Sequence, residues 1–331
     1  MARARRALAG LVAAGASVML IGLLPSTAAA EDTVAFTMKD PRIVQPSGLA
    51  RDVAAGLYWT TDSGAAGGVA YGITASGIVR GTLSYRAQPV DVEALALVDD
   101  QLYVADIGDE KGNRAFVTVY LFANPRASGL TVTYHAFDFA YPDGPHDAEA
   151  LLVDDTGQMF IVTKTAKQGA IYEAPAVPSR TTVNQLTRVA SAPAGVTDGT
   201  FLPDGGKIAL RTEKAVYLLD PSTYEITASA DVPAQAAGRS LAVGLDDDSL
   251  LVGGQGKQAK VYAVPLPTSL RAGSPSPTAS ASPTAGPGDT GDDTGSDTSG
   301  QGRRGTLLAV GLAGLVAAVA GVVVGVVRRP G

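Results

Sequence analysis

Between residues 47 and 267 the polar and apolar positions restart one pattern five times. A polar or acidic residue opens a run of small apolar residues, an aromatic or aliphatic burst follows, and further strand-like runs close the unit. The units open at Ser47, Glu93, Glu149, Gly199 and Arg239, at spacings of 46, 56, 50 and 40 residues. Their bursts are LYWTTD from Leu57, LYVADIGD from Leu102, MFIVTK from Met159, IALRTE from Ile208 and LLVGGQ from Leu250. Runs of β-branched and aromatic residues bounded by Gly, Pro, Asn and Asp predict strands. Several such strands per repeat of roughly 40 to 50 residues predict the blades of a β-propeller.

The second, third and fourth units each hold four predicted strands. The fifth (LAVGLD, SLLVGG, KVYAVPLP) stops at three, while TVAFTMKD, from Thr33 to Asp40, stands as a spare strand ahead of the first. Pairing the two closes the ring and covers the open edges. The expected fold class is therefore all-β, a five-bladed β-propeller; six blades follow instead if Pro125 to Pro145 holds an irregular unit. An α/β arrangement finds little support, because no long helical period precedes Thr306.

Two apolar stretches stand outside this pattern. Residues 1–30 combine Arg3, Arg5 and Arg6, an apolar run from Ala7 to Leu24 and Ala28-Ala29-Ala30, the layout of a cleaved secretory signal peptide. Near the other end, Thr306 to Val327 is an uncharged run of 22 residues followed by Arg328 and Arg329, long enough for one membrane-spanning helix. Between it and the repeats lies a Ser, Thr, Pro, Gly and Asp-rich tract that cannot bury enough apolar surface to order itself. The expected organisation is a signal peptide (1–30), a propeller ectodomain (31–270), a disordered stalk (271–304), a transmembrane helix (305–327) and a cytoplasmic stub (328–331). This makes a single-pass cell-membrane protein with its propeller outside.

Charge narrows the partners. All 32 acidic residues but only 19 of the 26 basic ones lie between Glu31 and Gly302, so that stretch carries about −13. Nucleic acid and anionic lipid surfaces need basic faces and are not expected partners. The membrane is met through the C-terminal helix alone. With no cysteine, neither a disulfide framework nor thiol chemistry is available.

The segments WTTDSG (Trp59 to Gly64), DVEALAL (Asp91 to Leu97), ADIGDE (Ala105 to Glu110), YPDGPHDAEALL (Tyr141 to Leu152) and VTKT (Val162 to Thr165) together resemble exported bacterial β-propeller proteins. These are loosely related to phytase-like, NHL and gluconolactonase-type propellers. The resemblance, over about Val44 to Leu266, implies the fold and an exported location and no particular activity. Arg239 stands at the fifth opening where an acidic residue, as at Glu93 and Glu149, would be expected.

In a propeller the starts of the innermost strands converge on the central channel. Glu93, Glu149 and Asp198, with Asp106 and Asp147 in neighbouring turns, are thus candidate oxygen ligands for Ca²⁺, which takes six to eight. Such a site would serve a hydrolase of the lactonase or phosphoesterase kind, with His146 moving the proton. The same carboxylates also suit loop caps or pairs with Arg239. Lys164, Arg211 and Arg239 could form a cationic patch for an anionic ligand, or blade-to-blade salt bridges. His135, in a strand, and Trp59 are expected to be structural. GxSxG, HExxH, Walker-type and strand-following GxGxxG motifs are absent from the sequence, which removes the usual support for serine hydrolases, zincins and nucleotide enzymes. The expected function is a cell-surface binding or interaction module for an unidentified extracellular ligand or protein. A Ca²⁺-dependent hydrolase is the alternative, and pairing of Arg239 with Glu93 or Glu149 would count against it.

Overall fold

A computed structural model describes residues 33–64 and 67–266. The expected signal peptide, stalk and transmembrane helix lie outside the described residues. Among those residues no helix is long and apolar enough to cross a membrane.

Five antiparallel sheets succeed one another along the chain. After β1 (Thr33–Thr37), blade one is β2 (Pro46–Asp52), β3 (Leu57–Asp62), β4 (Gly68–Thr74) and β5 (Val79–Tyr85). Blade two is β6 (Val92–Val98), β7 (Gln101–Asp106), β8 (Val117–Ala123) and β9 (His135–Ala140). Blade three is β10 (Ala148–Val153), β11 (Met159–Thr163) and β12 (Gly169–Glu173), then the short β13 (Asn184–Gln185), which belongs to another sheet, and β14 (Thr187–Ala192). Blade four is β15 (Val196–Phe201), β16 (Ile208–Thr212), β17 (Ala215–Leu219) and β18 (Ile226–Asp231). Blade five is β19 (Ser240–Val243), β20 (Ser249–Gly253) and β21 (Lys260–Pro265). Its fourth strand is β1, which pairs antiparallel with β21 (Thr33 opposite Ala263), so the spare N-terminal strand closes the ring.

Each neighbouring pair of blades shares its own apolar core, and there are five such cores. Trp59, Leu95 and Phe122 pack between blades one and two, and Tyr103, Leu151 and Tyr172 between two and three. Ile171 and Leu210 join three to four, Leu218 and Tyr262 join four to five, and Phe36, Tyr58 and Leu251 join five to one. The apolar residues behind each opening therefore alternate between the blade before and the blade after, as Leu95 and Ala94 do, which is why every unit repeats them. Trp59 is fully buried and donates its Nε1–H to Asp52.

The stretch from Pro125 that left room for a sixth blade is a strap. It lies along the outer edge of blade one, with Ser84 and Thr131 in a parallel bridge and the amides of Gly129, Ser84 and Val132 forming the ladder. Gly81 is needed there, because a Cβ on it would come 2.0 Å from the Ala127 carbonyl oxygen. Likewise β13 pairs in parallel with β9 along the edge of blade two. Edges covered in this way are closed to pairing with other chains.

Candidate functional site

One backbone device sets the geometry at the start of the blades. In blades two, three and four the register of the innermost strand against its neighbour slips by one residue, leaving out Glu93, Glu149 and Thr197. A β-bulge of this kind re-aims the extra side chain. In blade four the extra residue is Thr197, and Asp198 returns to the ladder opposite Arg211. The structural equivalent of Glu93 and Glu149 is thus Thr197, one residue before the carboxylate expected from the sequence.

Arg239, just ahead of β19, reaches the two bulged glutamates. Its Nη1 donates to Glu93 Oε1 at 2.7 Å and lies 3.4 Å from Glu149 Oε1, while Nη2 is 3.8 Å from Glu110. On its other side Glu149 Oε1 accepts from Lys164 Nζ at 2.5 Å, and the Ser47 hydroxyl donates to Glu93 Oε2 at 2.8 Å. Both glutamates are at most 1 % exposed. Burial pushes Glu93 up to about 8, with the charge on Glu149 adding to the rise and Arg239 opposing it. Glu149 is also raised by burial, against the pull of Lys164 and Arg239. Burial pulls the Arg239 guanidinium down, but the carboxylates more than offset this and it ends above its ordinary value. Two cations thus serve Glu93 and Glu149, with Lys164 committed to Glu149. Burial and the charge on Glu149 thus push Glu93 toward its protonated form, with Arg239 opposing them.

Asp198 and Arg211 have a different task. Asp198 accepts the Leu241 amide at 2.6 Å and the Gly199 amide at 2.8 Å, and burial raises it well above the usual carboxylate range. Arg211 is fully buried and donates to the carbonyls of Ser240 (2.7 Å), Gly253 (2.8 Å) and Ala236. Burial lowers its guanidinium to about 10. Together the pair stitches blade four to blade five. Arg211 has no surface to offer an anionic ligand, so the expected patch of Lys164, Arg211 and Arg239 reduces to Lys164 and Arg239, both engaged with glutamates.

The other expected ligands serve the backbone. Asp106 accepts the amides of Val90 (3.0 Å) and Asp91 (2.8 Å) and pairs with Arg114 at 2.9 Å. Asp62 does the same in blade one for Val44 and Gln45. An Asp at the end of a second strand thus ties down the residues that lead into the first. Asp147 accepts the Asp109 amide at 2.8 Å, joining blades two and three. Glu93, Glu149, Asp198, Asp106 and Asp147 therefore do not form one oxygen cage. Among the described residues no group of three or more His, Asp or Glu could hold a metal ion. A guanidinium between the two closest glutamates does not fit Ca²⁺.

His146 meets Asp143 at 3.0 Å and the Tyr172 hydroxyl at 3.1 Å, with Tyr141 edge-on at 5.0 Å. Tyr172 donates to Asp143 at 2.9 Å. These partners sit apart from the Arg239 set, so the structure does not bring His146 to the mouth carboxylates. His135 is exposed on β9, where Arg180 Nη1 approaches Nδ1 at 3.0 Å.

Above Arg239 opens a mouth of about 640 Å³ lined by Gln45, Ser63, Asp91, Glu110, Gln255 and the guanidinium itself. Burial raises Asp91. Gln45, Ser63 and Gln255 carry no periodic signal. They come from loops, and only the closing of blade five onto blade one brings them together.

No protein-family model matches the chain, and no curated protein matches it. Among solved structures it is similar to hydrazine synthase of Kuenenia stuttgartiensis, with 14% identity and a TM-score of 0.38 over 65% of this chain and 56% of that one. The chain therefore spans little more than half the length of that protein, and the likeness carries no argument about chemistry. The five-bladed propeller rests on the strand pairing above, and such a scaffold serves interaction and catalysis alike.

Proposed function

We propose that this chain is an exported, membrane-anchored propeller that works as a binding module at the cell surface and takes its ligand at the Arg239 mouth. The carrying observation is the contact of one guanidinium with both Glu93 and Glu149, at 2.7 and 3.4 Å. A fixed cation in that position repels Ca²⁺ and already bonds Glu93 Oε1, which weighs against the hydrolase reading. What the mouth offers is a set of amide, hydroxyl, carboxylate and guanidinium groups around an open volume. Such a set suits a polar ligand rich in hydrogen-bond donors and acceptors. Export and anchoring rest on the apolar stretches at 7–24 and 306–327.

The test uses the full chain in its membrane. Protease added to intact cells should remove the propeller. Thermal melts should not shift between millimolar Ca²⁺ and EDTA, and a chromogenic phosphomonoester and a lactone should not be turned over. Ca²⁺-dependent turnover that disappears in Glu149→Gln would overturn the reading.

A further inference from the structure

The turn that joins β9 to β10 reads YPDGPHD, from Tyr141 to Asp147, and the Arg239 mouth makes no use of its histidine. Gly144, at φ of +102°, bends the turn in a way open to glycine, and Asp143 meets His146 three residues on. Both then meet Tyr172 of β12. Three donor atoms form a nearly equilateral triangle: Asp143 Oδ1 lies 3.0 Å from His146 Nε2, His146 Nε2 lies 3.1 Å from Tyr172 Oη, and Tyr172 Oη lies 3.0 Å from Asp143 Oδ1. Two protons, one on the phenol and one on the imidazole Nε2, must serve three contacts, so hydrogen bonding alone leaves one edge short. A single cation would satisfy all three.

The side of the triangle selects the ion. Ligands at right angles around an ion at about 2.1 Å stand about 3.0 Å apart, whereas tetrahedral ligands at that distance stand about 3.4 Å apart and those of Ca²⁺ wider still. The triangle is therefore one face of an octahedron, too tight for Ca²⁺ and for tetrahedral Zn²⁺. Imidazole turns away Mg²⁺ and suits iron. A carboxylate and a phenolate, two hard anionic oxygens, favour the trivalent form.

The face is held from behind. Tyr172 is 1% exposed, and Tyr141 packs edge-on against it at 4.9 Å and against His146 at 5.0 Å. A ligand set fixed by its neighbours in this way is preorganised. Asp143 is exposed and His146 partly so, which gives the remaining positions of the ion to water. Burial and the Asp143 carboxylate raise the Tyr172 hydroxyl to about 12, with Arg188 opposing them; a bound metal ion reverses that balance and takes the phenol as phenolate.

We propose that Asp143, His146 and Tyr172 form a three-residue face that binds one ferric ion, with water on the solvent side. The site does not depend on what the Arg239 mouth binds.

The experiment is titration of the solubilised, metal-stripped full chain with ferric nitrilotriacetate at pH 7, followed by visible absorption and by iron retained after gel filtration. One equivalent of iron should be retained, with a visible phenolate-to-iron charge-transfer band. Iron merely collected by acidic surface gives no such band. Tyr172→Phe, which removes a single oxygen, should abolish the band while the far-UV circular dichroism stays as in the wild type. The double variant Asp143→Asn/His146→Gln, at turn positions, should weaken iron by more than about ten-fold, the scale of losing even a group that only orients a ligand. Glu149→Gln, at the mouth, should leave the band unchanged, and a melting shift in EDTA that Tyr172→Phe removes would belong to this site and not to the mouth. Retained iron without the band, a band that survives Tyr172→Phe, or iron held as tightly by the double variant would each overturn the proposal and leave an adventitious ion only.

Discussion

Arg239 Nη1 lies 2.7 Å from Glu93 Oε1 and 3.4 Å from Glu149 Oε1, so one cation from the last blade serves carboxyls of the second and third. The ring is thus tied electrostatically across its axis as well as through the cores between neighbouring blades.

Removing that cation leaves two buried carboxyls facing each other. Arg239→Gln should lower stability by about 3 kcal/mol at pH 8, the scale of a buried pair that loses one partner. The loss should be smaller at pH 5, where protonation relieves the repulsion. Urea unfolding at the two pH values reads the difference.

Glu93 gives stability a pH dependence of a definite sign. Its folded value is about 8 against an ordinary 4.5, so between those values the folded state holds a proton that the unfolded chain has lost. Stability should therefore fall as pH rises from about 4.5 to 8. Denaturation from pH 5 to 9 should show that decline in the wild type and a flatter profile in Glu93→Gln.

Arg211→Met keeps an unbranched apolar stem but removes the guanidinium and strands the carbonyls of Ser240, Gly253 and Ala236 in the join between blades four and five. A loss of about 3 to 5 kcal/mol is expected. Hydrogen exchange should locate it at β19 and β20, and uniform exchange across all five blades would contradict the stitching role.

Ring closure can be tested at Phe36, which is 5% exposed on the closing strand β1 and stacks on Tyr58 at 5.6 Å. Phe36→Ala should cost about 3 to 5 kcal/mol. Val34→Ala, on the same strand but exposed, should change the urea midpoint little.

The strap offers a steric test. Gly81→Ala puts a Cβ 2.0 Å from the Ala127 carbonyl oxygen, so the stretch from Pro125 to Val132 must move away from β5. A cost of about 1 to 3 kcal/mol is expected, with faster amide exchange at Gly129 and Val132.

Five blades and the closing strand could be read from the order of residues. Apolar runs are dictated by which faces of a strand are buried, and every blade buries one face against the blade before it and the other against the blade after it. Even the choice between a metal cage and an arginine pair was legible in the residue types at Glu93, Glu149 and Arg239. The strap after Pro125 was not, because parallel pairing to a distant edge leaves no local pattern. Nor were the one-residue bulges, which put Thr197 rather than Asp198 in line with the glutamates. A slip of one residue changes side-chain direction without changing composition. What tertiary structure alone decided was the use of the charges: a carboxylate can ligate, cap or pair with equal chemical ease, and only the position of the Arg239 guanidinium selects among the three.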